Sequence, residues 1–288
     1  MLLASGVSFR LASDWSPEPG IILPLLVGGA LYGWGAVILR RRATRIGVRT
    51  AEIAAFATGW LVLALALVSP LHEASEQIFT AHMIQHELLM AVAAPLLILG
   101  RPLVVMLWAL PHRARHGVAS IARSHIVRTA WRALVKPFDA WLLFAVVVWA
   151  WHIPALYDAT LHSDSVHALQ HLSFLGSALL FWWAMLRTRT RAGAGISVVL
   201  LFTTAVHTSV LGALMTFSRT PWYSPYATSA AVWGLTPIED QQLAGLIMWI
   251  PLSVVYLVAA LAVARRWLSD SESTVAQRQH AIAAAAAR

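Results

Sequence analysis

The sequence predicts an all-α integral membrane protein with seven transmembrane helices, its N-terminus outside the cell and its C-terminus in the cytoplasm. Three observations predict it. Of 288 residues, 59% are hydrophobic and only 12% charged, which leaves too little polar surface for a soluble globule of this length. Seven apolar segments approach or reach the length of roughly 20 residues that a hydrocarbon core about 30 Å thick demands. Fixed cations fall on alternate connections between those segments.

In chain order the segments are Ile21–Leu39, Ile53–Val68, Ile78–Leu99, Phe138–Trp151, Val166–Leu186, Ile196–Phe217 and Gln241–Ala264. Each must be helical, because lipid cannot satisfy an open backbone. Phe138–Trp151 is short and is expected to continue through Ile153. The apolar stretch Leu103–Leu110 is too short to span and reads as a tail of the third helix or an interfacial turn. No cationic region precedes Ile21–Leu39, so that segment reads as a retained helix rather than a cleaved signal. Residues 1–19 form an extracytoplasmic segment, 20–268 the transmembrane domain, and 269–288 a polar, Ala-rich cytoplasmic tail expected to be disordered or weakly helical.

The connections 40–52, 101–137 and 187–195 and the tail carry nearly all the Arg and Lys. Only Arg10 and Arg219 lie on the other side, against Asp14, Glu18, Glu73, Glu76, Asp158, Asp164, Glu239 and Asp240. The positive-inside rule gives the orientation stated above, and an odd number of helices agrees with it. The net charge of +8 therefore belongs to a cytoplasmic rim that favours anionic membrane lipid, and argues for no nucleic-acid partner.

The chain has no cysteine, which excludes disulfides and thiolate metal sites. It is rich in histidine at the membrane. His82 and His86, and His167 and His171, form two pairs at i,i+4 spacing, and His152 and His207 lie at the end of one span and within another. With the predicted orientation all six fall in the outer half of the bilayer, whereas His112, His116, His125 and His280 are cytoplasmic. Intramembrane histidine is costly and i,i+4 imidazoles share a helix face, so two pairs point to a metal site. Met215 and Met248 offer thioethers as secondary ligands, and nitrogen with sulfur suits copper best, although zinc or iron would also accept imidazole. Glu87, beside His86, is either an acceptor that orients an imidazole or a partner for a neighbouring helix. Asp240 either caps the last helix or joins the metal pocket. Taken singly, His152 and His207 fit a helix-to-helix hydrogen bond as well as they fit a ligand. His72 and His162 read as solvated loop residues, the methionines as packing, and most tryptophans as interface anchors.

Two other functions fit a histidine-rich bundle. One is a haem-binding membrane electron carrier, which needs only one axial His per helix and leaves the i+4 partners unexplained. The other is an intramembrane zinc-dependent hydrolase, but Met83 stands where an H-E-x-x-H motif needs its Glu.

The runs Ser69-Pro70-Leu71, Ala81-His82-Met83-Ile84-Gln85-His86, Ala94-Pro95-Leu96-Leu97-Ile98-Leu99-Gly100-Arg101-Pro102, Trp149-Ala150-Trp151-His152-Ile153-Pro154 with Tyr157, His167-x3-His171, Phe181-Trp182-Trp183 and Asp240-Gln241-Gln242-Leu243-Ala244-Gly245-Leu246-Ile247-Met248-Trp249 occur in this order. In these motifs the chain resembles the CtaG family of cytochrome c oxidase assembly factors associated with caa3 oxidases, over roughly residues 15–265. The resemblance implies a non-enzymatic, multi-pass protein of a prokaryotic plasma membrane. It would help mature a haem–copper oxidase by handling copper, with an oxidase subunit and a periplasmic copper chaperone as partners. The family motifs carry over His82, His86, His152, His167, His171, Asp240 and Gln241; His207 rests on its depth alone.

Overall fold

A computed structural model describes residues 15, 18–41, 47–187, 190–223, 226 and 229–286, with side chains omitted at 191 and from 270 onward. The predicted extracytoplasmic segment 1–19 lies almost wholly outside the described residues. Among the described residues every regular element is a helix. Six helices are long and apolar enough to cross a membrane, or seven if the bent pair His125–Leu134 and Pro137–Trp151 counts as one span.

The chain divides into two compact units, residues 1–117 with 218–244 and residues 118–217 with 245–288. In the first unit α1 (Pro19–Arg41) and α2 (Thr50–Val68) are spans. Ser69 and Pro70 stop α2, and the Ser69 hydroxyl accepts the Leu71 N–H at the start of a short helix, α3 (Pro70–Gln77). The third span, 79–99, comprises α4 (Phe79–Glu87), a π-helical turn (Leu88–Ala93) and α5 (Ala94–Leu99). Pro95 explains the wide turn. Its ring would strike the Ala91 carbonyl in a regular helix, and widening lets the Ala94 N–H reach Leu89 instead. With 67% of its apolar window buried, this span is the central helix of its unit, against 17% for α1 and 22% for α2.

Arg101 then adopts a left-handed conformation, φ 55°, and reverses the chain into α6 (Pro102–Ala109). The apolar stretch 103–110 is thus a separate helix laid on α1, not a tail of the third span. The two approach so closely that a Cβ on Gly35 would lie 2.0 Å from the Val105 carbonyl oxygen. Tyr32 fixes the same corner by donating its hydroxyl hydrogen to the Gly100 carbonyl at 2.8 Å and stacking on Phe56.

Two amphipathic helices follow, α7 (His112–Arg123) and α8 (His125–Leu134), neither of which buries a residue. In the second unit α9 (Pro137–Trp151) packs on α11 (Asp164–Leu186) and α12 (Arg191–Thr216). It ends at Trp151 and does not continue through Ile153, because Pro154 forces Ile153 into an extended conformation before the short α10 (Pro154–Leu161). On its other side α9 is preceded by α8, bent 68° from it.

The last helix, α13 (Pro237–Ala286), is longer than the sequence suggested, its backbone remaining helical through the Ala-rich segment after residue 268. In the second unit Gly212 of α12 and Gly245 of α13 let two backbones touch, a Cβ on Gly245 falling 2.6 Å from the Gly212 oxygen. Phe144 stacks on Phe181, and Trp182 on Tyr256, to fill the core between these helices.

Candidate metal-binding histidine pairs

In the first unit α4 carries His82 and His86 one turn apart, both buried, with ring centroids 4.2 Å apart and planes nearly perpendicular. Rings this close can direct nitrogens to one ion at about 2.0–2.1 Å. The His82 tautomer is set by its surroundings. Its Nδ1 lies 3.3 Å from the Ser75 carbonyl, which can only accept, so Nδ1 carries the proton and Nε2 keeps its lone pair. Tyr226 donates to the same carbonyl at 3.1 Å and holds it in place. Metal-binding histidines are oriented by this kind of second contact.

His72 is not a solvated loop residue; it is buried on α3. The Gln85 amide, in the turn between His82 and His86, donates to the Ala66 carbonyl at 2.7 Å and to His72 Nδ1 at 3.0 Å, tying α2 and α3 to α4. His72 therefore supports the pair's helix through Gln85. Apolar periodicity misses it, since α3 buries His72 and Ser75, a polar i,i+3 face.

Asp240 caps a helix, but not its own. One carboxylate oxygen accepts the Phe79 N–H at 2.9 Å, and the other accepts the Thr80 N–H at 2.9 Å and the Thr80 hydroxyl at 2.6 Å. These are first-turn donors of α4, where a negative charge is also favoured by the helix dipole. The start of α13 is capped instead by Thr236 and Glu239, which exchange hydrogen bonds. Gln241 accepts the Trp222 N–H at 2.6 Å and Gln242 donates to the Ser218 carbonyl at 3.2 Å, so the Asp-Gln-Gln cluster anchors the loop before α13 as well as α4.

Residues 30–270 match the family described as cytochrome c oxidase caa3 assembly factor (Caa3_CtaG). The chain belongs to this family. No curated protein and no solved structure matches it.

In the second unit of this caa3 assembly factor, His167 and His171 begin α11 half-buried, with ring centroids 4.4 Å apart. Between them Gln170 is fully buried, and neither atom of its amide has a hydrogen-bond partner. Such a group is costly in an apolar core and makes this turn a polar point on a buried face of α11. In the sequence Gln170 gives no signal beyond its place inside a His-x3-His run. His152 caps the end of α9; its Nδ1 donates to the Val148 carbonyl at 2.7 Å, so Nε2 again keeps the lone pair.

His207 is held differently. The Trp149 indole N–H donates to its Nδ1 at 3.3 Å, which occupies one lone pair and leaves the proton of a neutral ring on Nε2. A metal could take His207 only by breaking that bond or shifting that proton, so the residue serves as an α9–α12 tie. Met215 and Met248 are buried within the second unit's core. Glu87, half-buried at the start of the π turn, has one carboxyl oxygen without a partner. Among the described residues, no group of three or more His, Asp or Glu side chains gathers within either unit so as to hold a metal ion. Within the first unit the structure brings His82 and His86 together, and within the second His167 and His171.

Proposed function

We propose that this caa3 assembly factor binds copper as cargo through imidazole pairs and passes it to an oxidase subunit by ligand exchange. The observation that carries the proposal is the His82–His86 pair, buried on one face of α4 with the His82 lone-pair nitrogen selected by the Ser75 carbonyl. His167 and His171 form the second pair, and His152 is a further single donor with its tautomer fixed for coordination. Imidazole donors suit copper, with zinc and iron as competing ions. Both Asp240 oxygens are committed to the α4 terminus, which disfavours a zinc hydrolase that would need this carboxylate as its base.

The distribution of Arg and Lys supports a plasma-membrane topology with the N-terminus outside and the C-terminus in the cytoplasm. In that topology both pairs face the extracytoplasmic side, where a periplasmic copper chaperone would supply the ion. Copper bound to two imidazoles leaves coordination positions open to a ligand of the acceptor, so transfer needs no covalent chemistry.

Oxidase isolated from cells whose only copy of this protein carries His82→Ala/His86→Ala should retain haem and lose copper. Oxidase with normal copper, from cells in which the variant is present at normal abundance, would overturn the proposal.

A further inference from the structure

α8 separates into two faces. Ile126, Val127, Trp131 and Leu134 lie along one side with Ala130 and Ala133 between them, while Arg128, Arg132, Thr129 and His125 lie along the other. The apolar side is exposed, Ile126 by 80% and Leu134 by 45%, and no α8 residue is buried. At about 1.5 Å per residue, ten residues cannot cross a hydrocarbon core. α8 is nevertheless joined through Val135 and Lys136 to α9, from which it bends by 68°.

If α9 runs along the bilayer normal, that bend lays α8 close to the membrane plane. Its tip is fixed there by Trp131, whose ring meets the edge of Trp183 at 5.4 Å, while the Arg187 guanidinium lies 5.3 Å from the Trp183 ring. Tryptophan and arginine at the end of a span are the side chains that settle at the head-group level. The polar side of α8 carries cations and no carboxylate.

We propose that α8 is an in-plane interfacial helix that docks on an anionic lipid surface. Ile126, Val127, Trp131 and Leu134 enter the acyl boundary, and Arg128 and Arg132 hold lipid phosphates. Lipid fits better than a protein partner because the apolar strip is continuous with a membrane span and the cations flank it at head-group height.

The chain has no cysteine, so single cysteines at 126, 128, 130, 132 and 134 can be labelled cleanly with an environment-sensitive fluorophore in the otherwise complete chain. The labelled protein is reconstituted in vesicles of phosphatidylcholine alone or with phosphatidylglycerol. With phosphatidylglycerol, quenching by a water-soluble quencher should be several-fold weaker at 126, 130 and 134 than at 128 and 132. Adding Arg128→Gln/Arg132→Gln to the chains labelled at 126, 130 and 134 should increase quenching there, and replacing phosphatidylglycerol by phosphatidylcholine should do the same. Uniform quenching at all five positions would overturn the proposal. So would a pattern insensitive to both lipid charge and the arginine substitutions, or protection at 126 accompanied by disulfide-linked dimers of the unlabelled Ile126→Cys chain, which would place a second copy on the apolar strip.

Discussion

Asp240→Ala should destabilise the first unit more than any other single polar substitution at the site. It strips the carboxylate acceptors from two buried first-turn N–H groups of α4, while the Thr80 hydroxyl keeps the Asp240 backbone carbonyl at 3.1 Å. Each buried N–H left unsatisfied costs about 1–3 kcal/mol, so a total of about 2–6 kcal/mol is expected for the two, equivalent to a fall in Tm on the order of 10 °C. Asp240→Asn keeps one carbonyl oxygen and should lie between wild type and Ala. Thermal unfolding of detergent-purified protein checks the order. Because the carboxylate holds the helix rather than the ion, folded Asp240→Asn should still bind copper; a stable Asn variant without copper would instead make Asp240 a ligand.

The second large effect concerns the pair itself. Loss of an orienting contact to a metal ligand typically costs 10–100-fold in affinity, and loss of a ligand should cost more. His82→Ala and His86→Ala should each weaken copper binding by more than about 100-fold, and the double variant should be little worse than either, since one imidazole alone holds the ion poorly. His72→Ala should weaken it less, because His72 reaches the pair only through Gln85. Competition with a chelator of known affinity reads these constants. Additive losses would mean that the two rings act separately.

Apart from the C-terminal extension of the last helix, the long apolar spans were legible in the sequence to within a few residues, because lipid solvation makes hydrophobicity and length sufficient signals. The helices at 70–77 and 102–109 were not. α3 buries a polar face, and α6 depends on the left-handed turn at Arg101 and the glycine contact at Gly35, both products of tertiary packing. The i,i+4 spacing announced both imidazole pairs, since that relation is local to one helix. Roles set by distant chain segments were invisible: Asp240 reaching α4 across 160 residues, Gln85 bridging to Ala66 and His72, and Trp149 engaging His207. A spacing rule sees an Asp before a helix and assigns it to that helix, whereas Thr236 and Glu239 already perform that capping.

X-ray absorption of the purified full chain loaded with one equivalent of copper bears most directly on the proposal that imidazoles hold this ion. The spectrum should show nitrogen neighbours at about 2 Å with the outer-shell scattering of imidazole rings, and protein carrying His82→Ala/His86→Ala/His167→Ala/His171→Ala should return that copper to the buffer. Retention of no copper by folded wild-type protein, or a spectrum unchanged when both pairs are replaced, would contradict it.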